Sequence, residues 1–131
     1  MIPKYRMWNR ITSKLHHVDG LYFDSKTVQY IDEVGILRFI KFENTILMQS
    51  TGLHDKNGKE IFEGDVITNG IDIVDIKKHQ TLGFYTIIYG RESFFGDSIS
   101  IEKFEEDVEE FTQTTEIIGN IYENPELLEV E

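Results

Sequence analysis

The amino-acid sequence predicts a mainly β fold, a β-rich α+β domain that spans residues 1–131. Short runs of β-branched and aromatic residues recur every 8–12 residues between turn-forming residues, which is typical of antiparallel hairpins. A helical spacing of apolar residues occurs only late in the chain. The 131 residues, 40% of them hydrophobic, are enough for one domain core and too few for two.

Most of the predicted strands lie in the first two-thirds of the chain. The expected strands are residues 4–9, 21–23, 27–31, 36–42, 45–49, 60–69, 81–89 and 116–122. The run 81–89 is almost unbroken in apolar and β-prone residues, which predicts a strand buried on both faces.

The clearest turn signal is Asn57-Gly58, because both residues tolerate the positive φ angles that a tight hairpin requires. Asp55 precedes it, and an aspartate side chain there can accept hydrogen bonds from the following backbone. Gly64 interrupts the next strand pattern, which predicts a bulge or a sharp bend.

A helix near residues 100–112 is predicted by one narrow apolar stripe on an otherwise acidic segment. The stripe residues have spacings of three, four and three: Ile101, Phe104, Val108 and Phe111. Ser98 or Ser100 is suited to cap this helix. Asn124-Pro125 predicts a second start, with Asn124 as the cap and proline at the first position of a short turn through Leu128.

The charge of the chain is strongly negative and uneven. Residues 1–50 contain seven Lys/Arg and five Asp/Glu, a net charge of +2, whereas residues 51–131 contain six and 19, a net charge of −13. The total of −11 disfavours non-specific binding to nucleic acid. A local basic patch remains possible around Lys4, Arg6, Arg10 and Lys14.

The composition indicates a protein of the cytoplasm. There is no cysteine, which excludes disulfides and thiolate chemistry. The first ten residues contain no apolar run that could act as a signal peptide, and no stretch approaches the roughly 20 apolar residues that span a bilayer. We therefore expect a cytoplasmic location and no membrane contact.

No catalytic, cofactor or metal signature is found. Gly96-Asp97-Ser98 superficially resembles the nucleophile block of a serine esterase, but no histidine follows it. His16 and His17 are adjacent, so on a strand they would point to opposite faces and could not easily share a metal. We expect no enzymatic activity, no cofactor and no metal.

Two groups of residues are candidate partner contacts. Tyr5, Arg6 and Trp8 cluster near the N-terminus, and these residue types dominate binding hot spots, although a single tryptophan can equally fill a core. Phe104, Val108 and Phe111 form most of the stripe on the acidic helix, which needs a surface to pack against.

Three blocks resemble the YopX family of bacteriophage and prophage proteins. They are residues 3–8 (PKYRMW), 51–67 (TGLHDKNGKEIFEGDVI) and 117–128 (IIGNIYENPELL). The resemblance extends over nearly the whole chain. It implies a small SH3-like β-barrel with extra hairpins, encoded by a phage or prophage, and it supplies no catalytic residues.

The leading hypothesis is a non-enzymatic accessory protein that acts through protein contacts and self-associates. A host or phage protein is a further candidate partner. The acidic helix of one chain would meet the mildly basic N-terminal region of the next, although docking of the helix on its own domain is an open alternative. Two other functions are an acidic decoy that imitates DNA and a small nucleic-acid-binding barrel, the latter opposed by the charge.

Overall fold

The computed structural model describes residues 4–88, 90–94 and 101–129, with the backbone alone at residues 88 and 101–106. Twelve strands and one α-helix lie in these ranges, which confirms the β-rich class. The chain forms two compact units, residues 1–50 and 51–131. That residues 1–131 act as a single domain stays a prediction.

The first unit is an antiparallel sheet in which β1 is a central strand. Its strands are β1 (Tyr5–Asn9), β2 (Lys14–Tyr22), β3 (Thr27–Ile31), β4 (Leu37–Lys41) and β5 (Thr45–His54). The order is β4-β3-β2-β1-β5, and β5 continues past residue 50 into the second unit.

The core of the first unit lies on one face of this sheet. Val28 and Tyr30 of β3 alternate with outward residues, and Val28 is paired with Ile40 of β4. Together with Met7 of β1 they form a buried cluster. The period-two alternation of the strands therefore gives this sheet a second face, which is buried at Met48 of β5 and exposed at β3 and β4.

The second unit contains two three-stranded antiparallel sheets and the helix. Its elements are β6 (Glu60–Phe62), β7 (Asp65–Thr68), β8 (Ile73–Asp75), β9 (Lys77–His79), β10 (Gly83–Ile88), β11 (Arg91–Phe94), α1 (Ile101–Thr114) and β12 (Glu116–Asn120). The sheet orders are β12-β7-β8 and β11-β10-β9, while β6 lies beside β5. Ile61, Ile67 and Ile76 form the buried core.

The turn predicted at Asn57-Gly58 and the bend predicted at Gly64 are both confirmed. Asn57-Gly58 lies in the turn between β5 and β6, where Gly58 has a φ of +81° and donates its N–H to the Asp55 carbonyl. The break at Gly64 separates β6 from β7. At Gly119 in β12, an added Cβ would lie 2.5 Å from Asn124 Oδ1, so a larger residue would displace the neighbouring turn.

The predicted helical segments are also present, with different ends. The helix α1 reaches Thr114, and its proposed caps, Ser98 and Ser100, lie outside the described residues. A 3₁₀ turn covers Pro125–Leu128 with proline at its start, as predicted. Asn124 occupies the N-cap position of this turn, as predicted, but its side chain makes no capping hydrogen bond, because its Oδ1 accepts the Asn120 N–H at 3.3 Å.

Two other expectations differ from the structure. The SH3-like barrel that the resemblance implies is not shown, since the described strands form open antiparallel sheets. The strand predicted at 81–89 is β10, and it is not buried on both faces. Thr86 is buried but its neighbour Ile87 is 44% exposed, because only one face of β10 is covered. In the described part of the chain, no helix has the length and apolar character needed to cross a membrane.

Replacement of Gly58 by Val is expected to lower the free energy of unfolding by about 1–2 kcal/mol or more. The positive φ at this turn is unfavourable for any residue with a Cβ, and most of all for a β-branched one. Nothing lies within 4 Å of the added Cβ, so the cost is conformational. Chemical denaturation followed by tryptophan fluorescence measures it.

Gly58→Asn is the matched control, because asparagine tolerates the left-handed region and should cost clearly less. If both variants lost the same free energy of unfolding, the positive φ angle at residue 58 would not be the cause of the destabilisation.

Candidate protein-interaction surface

On the face of the first sheet that points away from its core, the part formed by β2, β3 and β4 is apolar and exposed. Tyr22 of β2, Ile31 of β3, and Leu37 and Phe39 of β4 share this face, since Ile31 pairs with Leu37 across the two strands. Their exposed fractions are between 47% and 59%. We call these four residues, with Gln29, the outer face.

Contacts within the outer face hold its side chains in place across three strands. The Tyr22 hydroxyl donates a hydrogen bond of 2.6 Å to Gln29 Oε1, and the rings of Tyr22 and Phe39 lie 6.1 Å apart at 53°. Tyr22 also lies over Gly20, where an added Cβ would approach its ring to 3.2 Å. The aromatic groups are therefore ordered before any partner arrives, which lowers the entropic cost of binding.

Turns on either side of the outer face add further exposed apolar side chains. Phe23, between β2 and β3, is 74% exposed and packs edge-on against Phe42 at 5.8 Å. Val34 and Ile36, between β3 and β4, are 77% and 51% exposed. Clusters of exposed apolar residues of this kind mark protein interaction sites in soluble proteins.

Two ion pairs lie next to the turn between β3 and β4. Lys14 binds Glu33, and Arg38 binds Asp32, whose carboxylate also accepts the N–H groups of Val34 and Ile36. The pKa of Asp32 lies below its usual value, chiefly because of the hydrogen bond from Arg38 and then because of that from Ile36.

The part of the chain that contains the outer face has a net charge of zero. Residues 14–41 contain four Lys/Arg and four Asp/Glu, whereas residues 51–131 have a net charge of −13. The outer face is thus the apolar surface that a second acidic molecule can approach with the least repulsion. At its border lies β4, the edge strand of the described sheet.

The N-terminal candidates Tyr5, Arg6 and Trp8 lie on β1, which pairs with β2 on one side and β5 on the other. All three side chains are half-buried. Tyr5 is on the side of β1 that contains the buried Met7, and Arg6 and Trp8 are on the opposite side. Their role as partner contacts stays a prediction.

The helix candidates are only partly within the described structure. The Phe104 side chain lies outside the described residues, while Val108 and Phe111 are half-buried. Phe111 packs against the core of its own unit, formed by Ile61, Ile67 and Ile76. The described end of the stripe thus docks within its own chain. Exposed Asp107, Glu109 and Glu110 cover the other sides of this helix end.

The outer face was missed at the level of sequence, although a signal was present. Residues 36–42, which contain strand β4, have the sequence ILRFIKF. Apolar residues occur at both the even and the odd positions of this run. Such a strand has two apolar faces, and only one of them can point into a single sheet core. Leu37 and Phe39, the apolar residues at the odd positions, point away from the core and are exposed.

The histidines and carboxylates of the described residues do not form a candidate metal site. His16 stacks on Tyr30 of the neighbouring strand at 4.6 Å. No group of three His, Cys, Asp or Glu side chains among residues 4–88, 90–94 and 107–129 is placed to hold a metal ion.

Asp55 is a buried carboxylate that accepts three backbone hydrogen bonds. It is 1% exposed, and its Oδ1 accepts the N–H groups of Asn57 and Lys59, both at 2.9 Å. Its Oδ2 accepts the N–H of Ile117, 62 residues away, at 3.1 Å. Burial acts to raise the pKa of Asp55, but the three N–H groups outweigh it and hold the pKa below its usual value. Asp55 is therefore a structural anion.

Comparison with known proteins identifies a family and a similar crystal structure. The family model described as YopX protein matches residues 4–129. The crystal structure of protein EF1440 from Enterococcus faecalis is similar, with a TM-score of 0.53 and 30% sequence identity over 98% of this chain and 99% of that chain. No curated protein matches this chain.

Replacement of Asp55 by Asn is expected to lower the free energy of unfolding by about 2–3 kcal/mol, the range for hydrogen bonds to charged groups. The asparagine carbonyl can still accept from Asn57 and Lys59, but its amide places N–H against the N–H of Ile117. Urea denaturation at pH 7 measures the loss. Asp19→Asn, at an exposed position of β2, should leave stability within about 0.5 kcal/mol.

The pH dependence separates the charge from the shape of this side chain. Because the folded pKa of Asp55 is depressed, its stabilisation is present above the unfolded pKa of about 4 and is lost as the pH falls through the folded pKa. The wild type should therefore lose stability below about pH 4 more steeply than Asp55→Asn does. Parallel curves would contradict the assignment of Asp55 as a buried anion.

Proposed function

Because the chain belongs to the YopX protein family, we propose that it is a phage- or prophage-encoded accessory protein of the host cytoplasm that works through protein contacts. It performs no catalysis, and it associates with further copies of itself. The outer face of the first sheet is the observation that carries this proposal.

The physical argument starts from the solvent exposure of that face. Tyr22, Ile31, Leu37 and Phe39 are each about half exposed, and the adjacent Phe23 is exposed further. Burial of apolar surface contributes roughly 25 cal/mol per Å², so a partner that covers several of these side chains gains a strong driving force. Tyr22 and Phe39 supply the rigid aromatic anchors that binding hot spots favour.

A second copy of the chain is the partner that the charges favour. A molecule with a net charge of −11 repels its own copies wherever acidic surfaces meet. The zero net charge of residues 14–41 removes that repulsion at the outer face. An isologous contact, with the outer face of each copy against the other, therefore combines apolar burial with little electrostatic cost.

This contact replaces the head-to-tail arrangement that the sequence favoured. That arrangement relied on an acidic helix whose apolar stripe lacked a surface. Phe111 already packs on Ile61, Ile67 and Ile76 of its own unit. The described end of the stripe thus has less apolar area to offer a neighbour than the outer face has.

A second candidate function is an acidic decoy that occupies a host DNA-binding protein. It is favoured by the exposed carboxylates of Asp107, Glu109 and Glu110 and by the net charge of −13 over residues 51–131. This function uses the second unit and is compatible with self-association through the first. A direct nucleic-acid-binding role is disfavoured by the same charge.

Self-association is tested by light scattering coupled to size-exclusion chromatography. The wild type should have a mass that is a multiple of 15.3 kDa. The Leu37→Ser/Phe39→Ser double variant should be a monomer, because it removes two central apolar groups of the outer face. Association should persist at high salt, since apolar burial drives it and charge does not.

Ile71→Ser/Leu82→Ser is the matched control. It removes two side chains that are 84% and 62% exposed in the second unit, and it should keep the wild-type mass. A wild-type mass of 15.3 kDa at high micromolar concentration, or equal behaviour of the two double variants, would refute self-association through the outer face.

A further inference from the structure

The second unit contains a pocket of about 250 Å³ where its two sheets approach the C-terminal end of α1. Ile67 and Val74, from the sheet β12-β7-β8, and Phe111, from the helix, supply its apolar wall. This volume is slightly below the range of drug-sized ligand sites, so the pocket suits a molecule of only a few heavy atoms.

Five of the seven remaining lining residues carry hydroxyl groups, and the other two are Asn69 and Asp72. Thr86 of β10 and Thr115, just after the helix, are each 3% exposed and bring polar side chains to the inner part of the pocket. Ser93, the partner of Thr86 across β10 and β11, is exposed and lines the same pocket. A polar lining at this depth is unusual for a cavity that serves packing alone.

The hydroxyl protons of two other lining residues are already used. Thr68 Oγ1 donates to the Asp72 carbonyl at 2.8 Å, and Thr114 Oγ1 donates to the Glu110 carbonyl at 2.8 Å. Thr68 Oγ1 also accepts the Gly70 N–H at 3.0 Å, so it has one lone pair left for a ligand, whereas Thr114 Oγ1 can offer its lone pairs. The pocket therefore favours a ligand group that donates hydrogen bonds.

The electrostatic character of the pocket is negative. Asp72 is one of its lining residues, and no lysine, arginine or histidine of the described side chains lines it. Thr114 is the last residue of α1, where the helix dipole places partial negative charge, and the last turn of this helix contains no basic residue to offset it. An anion is disfavoured here, and a cation is attracted by both the carboxylate and the helix end.

We propose that this pocket binds a small organic ammonium ion with a short apolar chain. The ammonium group would donate to the Asp72 carboxylate and to the lone pairs of the threonine hydroxyls. The chain would lie against Ile67, Val74 and Phe111, and an aromatic ring adds attraction for a nearby cation. This site is independent of the outer face and of self-association.

The test uses n-butylammonium chloride as the probe, with the full-length protein and backbone amide resonances followed by NMR. Butylammonium should shift the resonances of Thr86, Ser93 and Thr115 saturably. The neutral analogue 1-butanol should bind at least about tenfold more weakly, a difference of about 1.4 kcal/mol. Butanoate should produce no saturable shift.

Two variants test whether butylammonium binds in this pocket. Asp72→Asn should weaken butylammonium binding by about tenfold or more, whereas Asp19→Asn, a charge removed from the first unit, should leave it unchanged. Ser93→Phe fills the pocket from an exposed position, so it should abolish binding with the fold intact. Equal binding of butylammonium and 1-butanol, unchanged affinity in Asp72→Asn, or retained binding in Ser93→Phe would each overturn the proposal.

Discussion

The second unit depends on one buried carboxylate. Asp55 closes the turn between β5 and β6 through the N–H groups of Asn57 and Lys59, and it also receives the N–H of Ile117 at the start of β12. The adjacent Lys56 N–H donates to the Thr115 carbonyl at 2.8 Å. A local turn and a contact distant in sequence thus share the same few atoms. Removal of the carboxylate would leave buried donors without acceptors, which is the costly outcome.

The same junction joins the two longer blocks of sequence, residues 51–67 and 117–128, that resemble the family. Strand β7, from the first block, pairs with β12, from the second. The Gly64 carbonyl in addition accepts the N–H of Ile121 at 2.9 Å. The matched residues therefore build one structural element from two distant segments. Their shared pattern reflects the fold and does not identify a reaction.

The two surfaces that support functional proposals lie elsewhere in the chain. The outer face belongs to residues 22–39, before the first long block, and the pocket draws its hydroxyl groups chiefly from β10, β11 and the end of α1. Their electrostatics differ. Residues 14–41, which contain the outer face, have no net charge, whereas the pocket is lined by Asp72 and lies at a helix end without a basic residue. A strongly acidic molecule can in this way have one surface suited to its own copy and another suited to a small cation.

The sequence by itself determined the elements that short-range physics controls. The left-handed turn at Gly58, the helix with its acidic sides, and the start of the last turn at Pro125 each follow from conformational preferences within a few residues. Strands β8, β9 and β11 escaped prediction because they are only three or four residues long, and β9 and β11 are also mostly polar, so pairing with neighbours defines them. Tertiary structure alone decided that Asp55 is buried, that Phe111 packs inward, and that Phe39 faces solvent. Those outcomes depend on which distant strand covers each face, and no local pattern contains that information.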